Sequence, residues 1–395
     1  MSVVGAGSRA VALSSEDLAV FFGPAYAGLS ARLTAEALAP LSAEHDAAAC
    51  ARAMGALGLY AYLVPEAHGG AASGKPDHAT HVDVRSLVLV REALGQVSPL
   101  ADSIFAVQGL GTYPIVLAGT EAQRRRYLPD LLTGARVGAF ALTEPEAGSD
   151  VASLRTTARR DGDAWVLDGE KTLISNVPIA HHHVVFANAD PAKGRKGITA
   201  FVVDRDAPGL TTTPIPMSIP HPIGGITLTG CRVPADAQLG EVGAGFRLAM
   251  ETLDTFRISV GAAANGMARS ALAATLERVK QRRQFGAPLA EQQMVRGYLA
   301  DMATELDAGR LLVARAAHLR DTTGARVSTE AAMAKMYATE AAQRIIDHAV
   351  QLHGGSGVCL GSEVERLYRE IRPLRIYEGT TEIQKLIIAK GLLDR

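Results

Sequence analysis

Glu378 stands between a tyrosine and a glycine in the stretch RIYEGTTEIQ, Arg375 to Gln384. A carboxylate held within hydrogen-bond reach of a proton can serve as a general base. TEIQ, Thr381 to Gln384, follows at once and has the pattern of a capping box, in which a Thr hydroxyl and a Gln side chain satisfy opposite ends of a first helical turn. Glu378 is therefore expected just before a helix N-terminus, where partial positive charge and unpaired N–H groups suit an anion or a developing oxyanion. That helix end favours the ionised carboxylate, and an apolar pocket filled by substrate disfavours it. By residue type and place alone, a solvated loop acid fits the same pattern.

Other clusters carry less chemistry. His181, His182 and His183 suggest a metal, but on a strand they alternate between faces, and neither an HExxH pattern nor a nearby carboxylate accompanies them. No metal is expected. GAGSRA, residues 5–10, lacks the third glycine and the preceding strand of a dinucleotide fingerprint. QRRR and RKGI read as solvated basic clusters. Asp254 and Arg257, in LDTFRI, read by spacing as a helix-face pair.

These residues must be positioned by a chain of 395 residues, 48% apolar and 21% charged, which is enough for two to three domains with a sizeable core. The net charge, 40 − 41 = −1, provides no field to draw the protein to nucleic acid or to an anionic membrane. Cys50, Cys231 and Cys359 are scattered and form no CxxC pair, which suits a reducing compartment. The first residues, MSVVGAGSRAVALSS, are too weak for a signal or transit peptide, and no run approaches the length of an apolar membrane span. A cytoplasmic protein without membrane insertion is expected.

The fold class expected is α+β and multidomain. Up to about Leu132 the texture is helical, broken by Pro and Gly clusters in LVPEAHGG and GKPDH. VGAFALT, WVLDGEKTLIS, HHVVFANAD, ITAFVVD and GITLTGCRVP then read as the strands of an antiparallel, barrel-like domain. After GEVGAGF the helical signal returns. Val295, Leu299, Met302, Leu306 and Val313 keep one apolar face, and a further segment from Ser328 to His353 is stopped by Gly354 and Gly355. A C-terminal four-helix bundle follows from such segments. The expected domains are 1–136, 137–238 and 239–395.

RIYEGTTEIQ does not stand alone. ALTEPEAGSD (Ala141 to Asp150), GEKTLISN (Gly169 to Asn176), RRQFGAPL (Arg282 to Leu289) and QLHGGSGV (Gln351 to Val358) precede it. In this order and spacing they resemble the acyl-CoA dehydrogenase family, and weaker matches fill the intervals from about residue 50 onward. The resemblance implies a helical, then β, then four-helix-bundle fold, a homotetramer built as a dimer of dimers, and one FAD per subunit. It also implies an acyl-CoA thioester substrate and an electron-transferring flavoprotein or similar acceptor.

The resemblance assigns roles residue by residue. Glu378 would abstract the α-proton of the thioester while the β-hydrogen leaves to the flavin. Phe140, Leu142, Thr143, Leu173 and Ser175 would lie about the flavin ring, whose reduction puts negative charge on its pyrimidine edge. Arg282, Phe285, Gln293, Gln351, Gly354 and Gly355 would reach a neighbouring subunit's FAD, the Arg as a phosphate fork and the glycines as close backbone donors. Thr380 and Glu382 would complete the cofactor contacts, and Ser149, Asp254, Arg257 and Gly379 would hold substrate. Some relatives carry the base at the position of Phe256, which cannot serve. Without the resemblance, EPEAGSD is an ordinary turn, RRQFG a basic helix end with a glycine stop, and the paired glycines a helix cap.

The chain departs from the pattern at Leu173 and Ser175, where the family commonly has Trp and Thr. Its only Trp, Trp165, is expected on the preceding strand. A leucine covers less of a ring than an indole. Two other readings remain open here: a relative that handles oxygen or a non-CoA substrate as a flavin monooxygenase or carrier-bound enzyme, and a catalytically silent acyl-CoA binder.

Overall fold

The structure, a computed structural model, describes residues 18–42, 44–74 and 80–394. GAGSRA, the rest of the first stretch up to residue 17 and most of GKPDH lie outside the described residues.

Among the described residues seven helices come first: α1 (Ala19–Phe22), α2 (Ala27–Arg32), α3 (Ala35–Ser42), α4 (Ala47–Ala56), α5 (Val84–Val97), α6 (Pro99–Ala118) and α7 (Glu121–Thr133). Eight strands follow: β1 (Gly138–Ala141), β2 (Thr157–Asp161), β3 (Ala164–Ser175), β4 (His182–Asn188), β5 (Ile198–Asp204), β6 (Leu210–Pro214), β7 (Ile223–Pro234) and β8 (Gln238–Leu239). The long helix α8 (Gly245–Gln281) leads to a hairpin, β9 (Arg283–Gln284) and β10 (Ala287–Pro288). The chain ends in α9 (Gln293–Thr323), α10 (Ser328–His353), α11 (Glu363–Glu370) and α12 (Thr381–Leu393). The order is helical, sheet, helical, as the texture of the sequence predicts.

Local chemistry sets the ends. Thr120 and Gln123 form a full capping box on α7, and Gly134, at φ 73°, closes its C-terminus in the left-handed region. α10 begins at Ser328 and stops at His353, with Gly354 at φ 61° and ψ −144°, a conformation open essentially to glycine alone. α6 is long and apolar enough to cross a membrane, but it is mostly buried within the protein.

The chain divides into two compact units. One comprises Pro40–Asp83 and Leu100–Phe256. Its sheet runs β6-β7-β3-β2-β4-β5-β8, with β1 paired to β4. Most pairs are antiparallel as expected, but β2 meets β4 in parallel at Thr157 beside Asn188, and β1 lies parallel to β4, from Gly138 beside His182 to Ala141 beside Val185. Alternation of side chains carries no information on strand direction, and the β2–β3 hairpin between the two strands supplies the crossover. Ala139, Leu167, Ile174, Val185, Phe201 and Ile226 are among the buried residues of this core. Trp165 belongs to it as well, its ring 5.3 Å from that of Phe201. Trp165 therefore sits on the same strand as Leu173, not on the preceding one, because β3 is continuous through Gly169 with register breaks on either side.

His182 and His183 are both buried on β4. His182 shares a hydrogen bond with the Gly111 carbonyl at 3.3 Å, and burial pushes its pKa down to about 4. It packs beside Tyr127, a structural role.

The second unit comprises the described residues of Met1–Ala39, Val84–Pro99 and Arg257–Arg395. Its core draws Met267 and Leu272 from α8, Met302 and Leu306 from α9, Ile345 and Ile346 from α10, and Val364 and Leu367 from α11. Val295 and Leu299 pack against it half-buried. The buried Glu92 of α5 accepts from Arg269 of α8 and Arg310 of α9, each at 3.1 Å, and so ties three helices through one carboxylate.

Candidate active site

Glu378 lies two residues ahead of the helix cap of α12, at φ 51°. A non-glycine residue in the left-handed region stores about 1–3 kcal/mol of strain and persists only where its surroundings hold it. The holders are visible. Arg257, buried on α8, donates through Nε to the Glu378 carbonyl at 3.3 Å. Gln384, buried on the first turns of α12, donates to the same oxygen at 3.3 Å and to the Gly379 carbonyl at 2.9 Å. Lys335, buried on α10, donates to the Gly379 carbonyl at 2.8 Å. Gly379 itself stands at φ 90°, and a Cβ there would meet Gln384 Nε2 at 2.5 Å.

The cap is one residue earlier than the TEIQ pattern predicts. Thr380 Oγ1 accepts from the Ile383 N–H at 3.4 Å, whereas the Thr381 hydroxyl donates to Glu340 at 2.6 Å. Gln384 is turned toward the two carbonyls rather than toward a capping N–H. Arg375 also bonds Glu340, at 2.8 Å, which clamps the segment before Glu378 to α10. Burial alone would raise the Glu340 carboxyl, but Thr381 and Arg375 hold it below its ordinary value. Glu382 is exposed on the first turn, its carboxyl lowered by its own backbone N–H and then by the Thr380 hydroxyl.

In the other unit, the end of β1 meets the end of β3. The Thr172 N–H donates to the Thr143 carbonyl at 3.0 Å, and Lys171 Nζ donates to the Leu142 carbonyl at 3.2 Å. Lys171 is wholly buried and lies 2.8 Å from the Glu144 carboxylate. Glu144 also accepts from the backbone N–H groups of Arg155 and Thr156, at 2.5 and 2.9 Å, and from the Thr156 hydroxyl at 2.5 Å. Burial brings the Lys171 ammonium down to about 8 against the pull of Glu144.

This buried knot fixes the backbone from Leu142 to Glu144. Beside it Leu173, at φ 55°, is 55% exposed in the second register break of β3. Ser175 Oγ lies 2.7 Å from His221 Nε2, and burial lowers the His221 pKa to about 4, so the imidazole is neutral at physiological pH. Phe140 is buried with its ring 4.9 Å from that of Phe186. Leu142, Thr143, Leu173 and Ser175 are thus neighbours along two adjoining strand ends. Ser149 is exposed on the following loop and is not held among them.

Two further stretches meet where α8 and α10 end. Arg278, one turn before Arg282, donates to the His353 carbonyl at 3.5 Å. Arg282 is exposed, and Phe285, at φ 51° in the two-residue hairpin between β9 and β10, is 96% exposed. Gln293 and Gln351 are exposed, and an added Cβ at Gly354 or Gly355 would meet nothing among the described residues within 4 Å. Asp254 is half-buried on α8, and Phe256 is buried with its ring edge-on to Tyr113.

The donor set fits an FAD. Hydroxyls at Thr143 and Ser175 beside an exposed apolar Leu173 suit the edge and face of a flavin ring. An open double-glycine turn suits a pyrophosphate, and Arg278, which donates to the His353 carbonyl just before it, has its Nε buried without a protein partner among the described residues.

Comparison with known proteins identifies the family. Family models match the N-terminal domain of acyl-CoA dehydrogenases at residues 29–135, the middle domain at residues 139–231 and the C-terminal domain at residues 243–393. The chain belongs to the acyl-CoA dehydrogenase family. Like other acyl-CoA dehydrogenases it is a flavin-dependent oxidoreductase by descent. The human mitochondrial short-chain specific acyl-CoA dehydrogenase is 40% identical, over 90% of this chain and 86% of its own length. A caffeyl-CoA reductase-Etf complex subunit, CarC, from Acetobacterium woodii is 38% identical over 87% of this chain and 89% of its own. The solved butyryl-CoA dehydrogenase of Megasphaera elsdenii superposes with a TM-score of 0.81 at 35% identity, over 87% of this chain and 89% of that one.

Lys335, His221 and Lys171 carry no role in the sequence reading. Lys335 had a signal: it interrupts the otherwise small apolar stripe Ala331, Ala334, Ala338 and Ala342 of α10. His221 had none, because its partner Ser175 lies 46 residues away on β3.

Proposed function

We propose that the protein catalyses α,β-desaturation of an acyl-CoA thioester with Glu378 as the base. The observation that carries this reading is the strained Glu378, held at φ 51° by three side chains on two successive carbonyls just ahead of a helix N-terminus. A turn so heavily constrained presents its carboxylate and its backbone N–H groups in one orientation. Glu378 takes the α-proton as the α C–H bond breaks; the electron pair left behind forms the new double bond as the β-hydrogen departs with its own pair. The backbone N–H at Glu378 faces the charge that develops on the thioester oxygen.

Bound FAD supplies the two-electron sink for the β-hydrogen. Phe140, Leu142, Thr143, Leu173 and Ser175 hold its ring. Arg282, Phe285, Gln293, Gln351, Gly354 and Gly355 hold the FAD of a second subunit in a homotetramer, and Thr380 and Glu382 complete the contacts. The exposure of Phe285 and the open glycines support such a partner, since nothing among the described residues covers them. Ser149, Asp254, Arg257 and Gly379 hold the substrate.

Electrons pass to an electron-transferring flavoprotein or similar acceptor in the cytoplasm, a reading supported by the Acetobacterium relative named as part of an Etf complex. That relative is named a reductase, and microscopic reversibility lets the same residues add hydrogen when the flavin is supplied with electrons. A second reading, a relative using oxygen or a carrier-bound substrate, draws on the exposed Leu173.

Anaerobic addition of a panel of acyl-CoA thioesters to the purified yellow protein tests the proposal. Bleaching of the oxidised-flavin band by one of them is expected. Bleaching by none, with oxygen consumed by the reduced protein instead, moves the reading to the oxygen-using relative.

A further inference from the structure

Lys335 projects from α10 into the turn that presents Glu378. Its side chain is fully buried, and its ammonium donates to the Gly379 carbonyl at 2.8 Å. A buried ammonium costs several kcal/mol of desolvation, and an uncharged amide could serve a carbonyl equally well. The charge therefore needs a reason beyond anchoring a loop.

The groups that act on it supply one. Arg257 of α8 repels it; Glu378 ahead of α12, Glu340 of α10 and Glu382 of α12 attract it, Glu378 most strongly. Glu340 is already bonded to Arg375 and Thr381, and Glu382 is exposed to solvent. Lys335 is thus a cation held on the carbonyl of the residue after the base, and Glu378 is the carboxylate that attracts it most. Burial, opposed by Glu378, brings its pKa down to about 8.

Substrate binding removes water from around a carboxylate and drives it toward the protonated form, in which it cannot act as a base. A fixed cation at short range in a dry environment opposes that shift. The same ammonium also keeps the Gly379 peptide in place, and with it the strained φ of Glu378.

We propose that Lys335 is a positioning residue for the desaturation: protonated, it pins the Glu378–Gly379 turn and keeps the Glu378 carboxylate ionised when substrate is bound. This rests on Glu378 being the base. Lys335 touches neither substrate nor cofactor in this role and acts through Glu378 alone.

The test is the pH profile of kcat and KM for the FAD-loaded enzyme, its Lys335→Met and Lys335→Arg variants, and Glu378→Gln as control. The native enzyme should lose kcat/KM on the alkaline side with a midpoint near pH 8. Lys335→Met should lower kcat about 100-fold, the scale of a small misplacement of a catalytic group, with little change in KM and no alkaline limb near pH 8. Lys335→Arg should recover much of kcat and keep it at alkaline pH, because a guanidinium does not deprotonate there.

A folded Lys335→Met enzyme with kcat near native and the limb intact would overturn the inference. If Lys335→Met fails to fold, Lys335→Arg decides alone, and a limb unchanged near pH 8 in that variant overturns the inference equally. Failure of the underlying reading looks different: Glu378→Gln would then turn over normally.

Discussion

Gln384 Nε2 donates to the Gly379 carbonyl at 2.9 Å, across the first turn of α12. The helix therefore grips, through one buried amide, the residue that follows Glu378, and a shift of α12 carries the turn with it. Replacing Gln384 by Leu keeps the volume but leaves the Gly379 carbonyl with Lys335 and the Glu378 carbonyl with Arg257. The expected outcome is a loss of about 1–3 kcal/mol in stability and a fall in kcat of about 10-fold or more. Thermal unfolding and steady-state kinetics on the same preparation check both, and a native kcat in the destabilised variant would show that the turn does not depend on the amide.

The buried pair Lys171–Glu144 gives a prediction about acid. Burial would raise the Glu144 carboxyl, but Lys171, the Arg155 N–H and the Thr156 hydroxyl outweigh it and hold it below its ordinary 4.5. A depressed carboxyl contributes stability that is complete above its unfolded value and is lost as pH falls through the folded one. Stability should therefore drop below about pH 4.5, and the drop should shrink in Glu144→Gln, as followed by urea titration at stepwise pH. Lys171→Met should cost about 3 kcal/mol at neutral pH, since it strips one partner from a buried pair.

His221 should remain neutral well below the usual histidine range. Burial alone lowers it to about 4, so its ring resonances should not move between pH 8 and 5 in an NMR titration. A midpoint near 6.5 would mean that the imidazole is solvated and that its bond to Ser175 Oγ is not maintained.

Much of this was legible from the residues. WVLDGEKTLIS and ITAFVVD mark β3 and β5 because their apolar, β-branched runs are bounded by turn residues, and α10 shows both of its ends. Local signals were less decisive where two neighbours compete for one role. Thr380 and Thr381 both fit a cap, and only the distant Glu340, which takes the Thr381 hydroxyl, decides between them. The parallel course of β1 depends on a crossover, and the role of Lys335 on a carbonyl 44 residues away. Such partners are set by tertiary packing, which spacing along the chain does not encode.

The most direct measurement is the anaerobic spectrum of Glu378→Gln mixed with the thioester that bleaches the native enzyme. The account predicts a yellow protein that still binds the thioester but is bleached about 10²–10⁴-fold more slowly, the usual contribution of a general base. Bleaching at the native rate would contradict it and remove Glu378 from the chemistry.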